Sequence, residues 1–335
     1  MTGQLKKLLA SLLLVVLLPS LGIAETLTIT FLGDCTIGAE EKYIDYDFAF
    51  QQVVGAHGKD WPFSGIIDVT GTDDLTVANC EVTFSTRKRH QDKSYVMRAT
   101  PEWAECFTLG SVEAVTIANN HILDYYEEGR TDTKAALDAQ GILWFGFSYT
   151  AIYEVKGVKI GMFSYGYPHK ENIATFKKQT KELREQGCDI VIAAMHWGRE
   201  TNYGLTGDQT AVAKGLIDAG VDVIFGTGPH VLQAIQMYNG VPCLYSLANF
   251  TFGADPAPKD PDTAVVQLTY NIDGDKPVLE KLEAIPMRMH NNKDYRPYEY
   301  EDEKDRARVF KKLMNIKNCA LPADFASTGI AVFGE

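Results

Sequence analysis

The sequence predicts an α/β fold in which largely parallel central strands are flanked by helices. A unit of helix, glycine stop, apolar strand and polar tip recurs along the chain, which is the pattern of alternating strands and helices. At 45% hydrophobic residues over 335 positions there is ample material for a large core. Finally, the residues able to do chemistry fall at the ends of the apolar runs, where parallel strands share an edge and ligands bind.

Taken in order, residues 1–24 read as a signal peptide. Lys6 and Lys7 precede the apolar run Leu8 to Leu18, then Pro19, and Gly22 and Ala24 supply the small residues that a signal peptidase reads. The mature chain then begins at Glu25 and is extracytoplasmic: secreted, periplasmic or at the cell surface, with an uncleaved membrane anchor as the alternative. The first strand, Thr26 to Leu32, alternates apolar and polar residues and ends at Gly33-Asp34. A second, Leu75 to Ala78, ends at Asn79-Cys80-Glu81. Thr100 and Pro101 start a helix that Gly110 stops, and the strand Ala114 to Ala118 runs into Asn119-Asn120-His121 with Asp124 behind it. Helices are further expected from Gly129 to Gln140 and from Lys170 to Gly187. The strand Asp189 to Met195 delivers His196-Trp197-Gly198-Arg199-Glu200. Thr206 with Gln209 forms a capping box, and Val221 to Phe225 delivers Gly226-Thr227-Gly228-Pro229-His230. Leu244 to Leu247 ends at Asn249.

The formal net charge of −12 disfavours a polyanion such as nucleic acid without a local basic site. The only dense basic run is Arg87-Lys88-Arg89-His90, followed by Lys93 and Arg98. It reads either as a solvated loop or as a landing strip for an anionic substrate. Six cysteines permit disulfides in an oxidising compartment, and Cys35 and Cys80, at the ends of two strands, could face each other. No C-x-x-C spacing occurs, which excludes a zinc ribbon.

Asp34, Glu81, Asn120, His121, His196, His230 and Asn249 can therefore converge at one sheet edge. Oxygen and imidazole donors without thiolate suit Mn, Fe or Zn rather than Ca, and a carboxylate between two ions could bridge them. His121 backed by Asp124 can act as a general acid instead of a ligand. Arg199 offers a guanidinium fork for an anionic group. His169 follows the strand Lys159 to Ser164 and is a candidate for lining the substrate cleft, whereas His57, His90 and His290 are expected at the surface. Pro256, Pro258 and Pro261 mark an extended loop that either caps the site or links elements. In the tail a mixed-charge helix ends near Lys317, with Phe310 and Leu313 touching the body.

Gly33-Asp34, Asn79-x-Glu81, Ala118-Asn119-Asn120-His121, His196-Trp197-Gly198-Arg199-Glu200, Pro229-His230-Val231-Leu232-Gln233 and Tyr245-Ser246-Leu247-Ala248-Asn249-Phe250 resemble, in order, the signature blocks of the CapA-type capsule-synthesis (poly-gamma-glutamate biosynthesis) family. That family is similar to the calcineurin-like metallophosphoesterases. The resemblance implies a four-layer sandwich, two mixed sheets flanked by helices, over residues 25–290, with 291–335 as a C-terminal extension packed on it. It also implies a divalent metal, one or two ions, held by Asp34, Glu81, Asn120, His196 and His230, with His121 as general acid. The implied partners are an anionic polymer or a phosphorylated small-molecule substrate, and a capsule-synthesis membrane complex. One departure is particular to this chain: Gly228 stands where the family usually has a His, so one metal position loses a ligand. The expected function is that of a metal-dependent hydrolase or transferase acting on a capsule polymer. The alternative is a non-catalytic polymer-binding or export-assembly component on the same scaffold.

Overall fold

The strand Thr26–Thr36 lies at the centre of a nine-stranded mixed sheet in the computed structural model, which describes residues 25–254, 257–290 and 294–333. The expected signal peptide and Pro256 lie outside the described residues. On one side this strand pairs in parallel with Leu75–Cys80, and Ala114–Thr116 and Leu143–Phe145 continue the parallel run. On the other side it pairs antiparallel with Asp262–Asn271, one arm of a long hairpin whose second arm is Val278–Arg288. Its C-terminal end also pairs in parallel with Asn249–Phe252.

The second sheet has six strands. Val158–Gly166, Ile190–His196, Val223–Thr227 and Val241–Leu244 run parallel, and an antiparallel strand closes each edge. Because side chains alternate along a strand, Leu27, Ile29 and Phe31 all point to one face, where they meet Ile160, Ile192, Val223 and Phe225 of the other sheet. The rings of Phe31 and Phe225 are 5.4 Å apart. The outer face of the first sheet is covered by Phe50, Val54, Phe107 and Leu137 from helices, and that of the second by Phe176, Leu183, Val212 and Leu216. The result is the expected sandwich of two mixed sheets between helical layers.

Local signals hold in part. The Thr206 side chain accepts from Gln209 N and the Gln209 side chain returns the bond, so the capping box starts the helix Gly207–Ile217. The helix Glu303–Leu313 buries Val309, Phe310 and Leu313 against the sheet hairpin. Cys35 and Cys80 are register partners on adjacent strands, but all six cysteines are free thiols. His290, expected at the surface, is buried, 5.7 Å from the Tyr295 ring, because the hairpin carries it inward.

Candidate metal centre

Asp34 owes its position to an irregular strand. The first strand runs on to Thr36, past its predicted end, and its register shifts on both sides of Asp34, as a bulge re-aims a side chain. Gly33 makes this possible: a Cβ there would fall 2.0 Å from the Ala248 carbonyl oxygen, and the Asp34 amide donates to that oxygen at 2.8 Å. Register then places Asp34 between Asn79 and Asn249. Asn79 Nδ2 donates to Asp34 Oδ1 at 2.8 Å and to Glu81 Oε2 at 3.3 Å, holding the two carboxylates side by side.

The second sheet supplies the imidazoles. His196 ends the strand Ile190–His196, and its Nδ1 is 3.0 Å from Oγ1 of its register partner Thr227. His230 follows the next strand in a left-handed conformation, φ 57°, that turns its ring back over the first sheet. Its Nδ1 lies 3.1 Å from Asp34 Oδ2 and 2.8 Å from Asn249 Oδ1, and its Nε2 lies 3.8 Å from Glu81 Oε1. His196 Nε2 is 3.9 Å from the same Glu81 oxygen. One donor atom each from Asp34, Glu81 and His196 lies within 4.8 Å of the others.

These groups are deprived of water and satisfy one another only in part. Glu81 Oε1 and Asn120 Oδ1 are buried and have no hydrogen-bond partner among the described residues. Burial, and then the neighbouring Asp34, push the Glu81 carboxyl well above its ordinary range. Burial would raise Asp34 as well, but the hydrogen bond and charge of His230 hold it low. Burial opposes a charge on His230, yet Glu81 and Asp34 overcome it and push the imidazole up to about 10; His196, buried with less support, is pushed down to about 3. With two carboxylates and two imidazoles around one point, the donor set fits a divalent cation.

Beside this group, His121 Nδ1 is 2.8 Å from Asp124 Oδ2, which leaves Nε2 for proton exchange. Burial lowers the His121 pKa despite Asp124. Lys93 pairs with the other Asp124 oxygen and donates to the Asn120 carbonyl at 2.9 Å, and the Met97 amide donates to Asp124 at 2.6 Å. His121, His230 and Asn249 line a cavity of about 540 Å³ together with Tyr95, Glu200 and Tyr203, and the proline loop contributes Pro258 to its wall.

Two expected substrate contacts are not brought to this cavity. His169 is exposed, 3.1 Å from Asp208, and with Asn172 it caps a short turn, so local hydrogen bonding decides its place. Arg199 is exposed and forms no ion pair among the described residues. After Gly198, at φ 81°, the chain turns so that Glu200 lines the cavity instead. At Gly228, φ is 104° and a Cβ would lie 2.9 Å from the Trp197 carbonyl oxygen and 3.2 Å from the His196 ring. The backbone there closes against His196, so no side chain is accommodated in this geometry. Asn79 and Asn119 stand in the sequence motifs without a role in the site, and Lys93 stands there only beside the basic run. Asn119 Nδ2 donates to Asn79 Oδ1 at 3.0 Å and so braces the amide that holds both carboxylates. The signal was present in the adjoining amides of Asn119-Asn120, of which only the second was assigned a role.

Comparison with known proteins adds a family. The chain is 26% identical over 317 residues to the capsule biosynthesis protein CapA of Bacillus anthracis, covering 86% of this chain and 73% of that one. It is 26% identical over 289 residues to the PGA biosynthesis protein CapA of Bacillus subtilis, covering 79% and 72%. A putative 5′-nucleotidase from Staphylococcus aureus, solved with alpha-ketoglutarate, superposes with a TM-score of 0.49 at 11% identity over 86% of this chain and 58% of that one. The sequence profile described as bacterial capsule synthesis protein PGA_cap matches residues 28–254, and the chain belongs to that family.

Proposed function

We propose that this protein is an exported, metal-dependent hydrolase or transferase that acts on a poly-gamma-glutamate-type capsule polymer or on a phosphorylated precursor of one. The observation that supports it best is the bare buried Glu81 Oε1, 3.9 Å from His196 Nε2 and 3.8 Å from His230 Nε2, with His230 in the wall of the cavity. Asp34, Glu81, Asn120, His196 and His230 would hold one or two ions of Mn, Fe or Zn. Such an ion supplies Lewis acidity and lowers the pKa of a bound water. Asn79 keeps Asp34 and Glu81 in place, and Asp124 fixes the ring and tautomer of His121. His121 then exchanges a proton with the substrate through Nε2, the ring nitrogen that Asp124 does not occupy.

The test is metal analysis of the purified protein with a panel of phosphoester and gamma-glutamyl substrates. His121→Ala should keep its metal and lose turnover by about 10²- to 10⁴-fold. Closure of the backbone at Gly228 favours a second reading, a polymer-binding or export-assembly component. Absence of bound metal under Mn and Zn supplementation, with polymer binding retained, would select it.

A further inference from the structure

The basic run is not free in solvent. Arg87 is fixed by Asp132, with Nε at 2.7 Å and Nη2 at 3.1 Å, and the His90 carbonyl accepts from Tyr126 OH at 2.9 Å. The Gln91 amide donates to the Asp124 carbonyl at 2.8 Å, and Lys93 sits on Asp124 and Asn120. Tyr95, 58% exposed, lies in the cavity wall. Residues 87–95 thus form a strap fastened at several points that leads from the outer surface to His121.

Lys88 and Arg89, on the outer part of the strap, are exposed and have no carboxylate at ion-pair distance among the described residues. Arg89 stacks over the Tyr126 ring at 4.8 Å, which holds its guanidinium on this face. Lys93 neutralises Asp124 at the inner end, which leaves Glu200 across the cavity as the carboxylate without an ion pair among the described residues. On a chain of net charge −12, two cations without a carboxylate at ion-pair distance, with Glu41 only in electrostatic reach of Lys88, are a local exception to a repulsive surface on a fixed strap that ends at the cavity.

We propose that the strap is an extended subsite for a polycarboxylate chain: Lys88 and Arg89 hold distal units of the polymer while a proximal unit occupies the cavity. This rests on the function proposed above for the identity of the polymer, and on charge complementarity and continuity with the cavity for its position. Multivalent contact of this kind raises affinity for a long chain and not for a short one.

The test uses the full chain and the double variant Lys88→Ala with Arg89→Ala, whose side chains are exposed. Long-chain poly-gamma-glutamate should bind the variant about tenfold more weakly at low salt. The difference should close as salt rises, because exposed charges are screened. Binding of a gamma-glutamyl dipeptide should be unchanged. Equal affinity of variant and wild type for the long chain overturns the proposal, as does wild type that fails to bind it. A loss confined to polyphosphate, included as a second polyanion, overturns the choice of a carboxylate chain. Binding is read without turnover, so a catalytically silent protein sinks the enzymatic reading alone.

Discussion

Asp262 and Glu81 are both buried carboxylates in the same sheet system, yet the chain treats them in opposite ways. Asp262 accepts from Tyr300 OH at 2.7 Å, from Arg308 Nε and Nη2 at 2.8 Å each, and from Lys312 Nζ at 2.7 Å. Burial alone would raise its pKa; hydrogen bonds from Arg308, Lys312 and Tyr300 push it down to about 2. Glu81 has one bare oxygen and another carboxylate for a neighbour. A buried charge that the protein satisfies itself joins elements together, here the tail helix to the hairpin. A buried carboxylate left incomplete is an arrangement that a ligand from outside can complete, and holding it has a cost in stability.

The largest expected effect tests the Glu81 side of this contrast. Glu81→Gln should weaken Mn or Zn binding by at least about 100-fold, beyond the usual loss from an outer supporting partner, while the melting temperature of the metal-free protein stays close to wild type. Unchanged affinity in calorimetry would place Glu81 in the same class as Asp262. Asp262→Asn should do the reverse, lowering stability by about 2–3 kcal/mol in urea titrations while metal affinity is kept.

The same pair gives a pH dependence. Because the folded Asp262 carboxyl titrates near 2 against an ordinary 3.8, its contribution is complete above pH 4 and is lost as pH falls toward 2. The stability gap between wild type and Asp262→Asn should therefore be full at pH 6 and narrowed at pH 3; a gap independent of pH would mean that the carboxylate charge is not what joins the helix. The smallest expected effect concerns Gly228→His. Given its φ of 104° and the contact with Trp197, this change should cost about 1–2 kcal/mol of stability and should not tighten metal binding. Tighter binding would show that the loop can reopen.

The strand-end constellation was legible because Asp34, Asn120, His121, His196 and His230 each interrupt or follow an apolar run, and parallel strands bring such ends together. The hairpin Asp262–Asn271 with Val278–Arg288 stands outside the helix–strand repeat, because Asp273-Gly274-Asp275 joins its arms by a turn and no helix separates them. Which amide supports which carboxylate is a matter of register, and Asn79 gained its role only when Asp34 became its strand partner. The left-handed turns at His230 and Ala248 leave no trace in residue type, because neither is a glycine.

Asp34, Asn79 and Glu81 come from one sheet and His196 and His230 from the other, and the segments that carry them are far apart in the chain. A cation bound among them would therefore be a rivet between two halves that must first find each other, closing a long loop of otherwise independent chain. Half-assembled molecules cannot offer this donor set, so under the proposed function loading with metal would certify that assembly is complete. In refolding, metal uptake should follow the burial of Phe31 against Phe225 and never precede it.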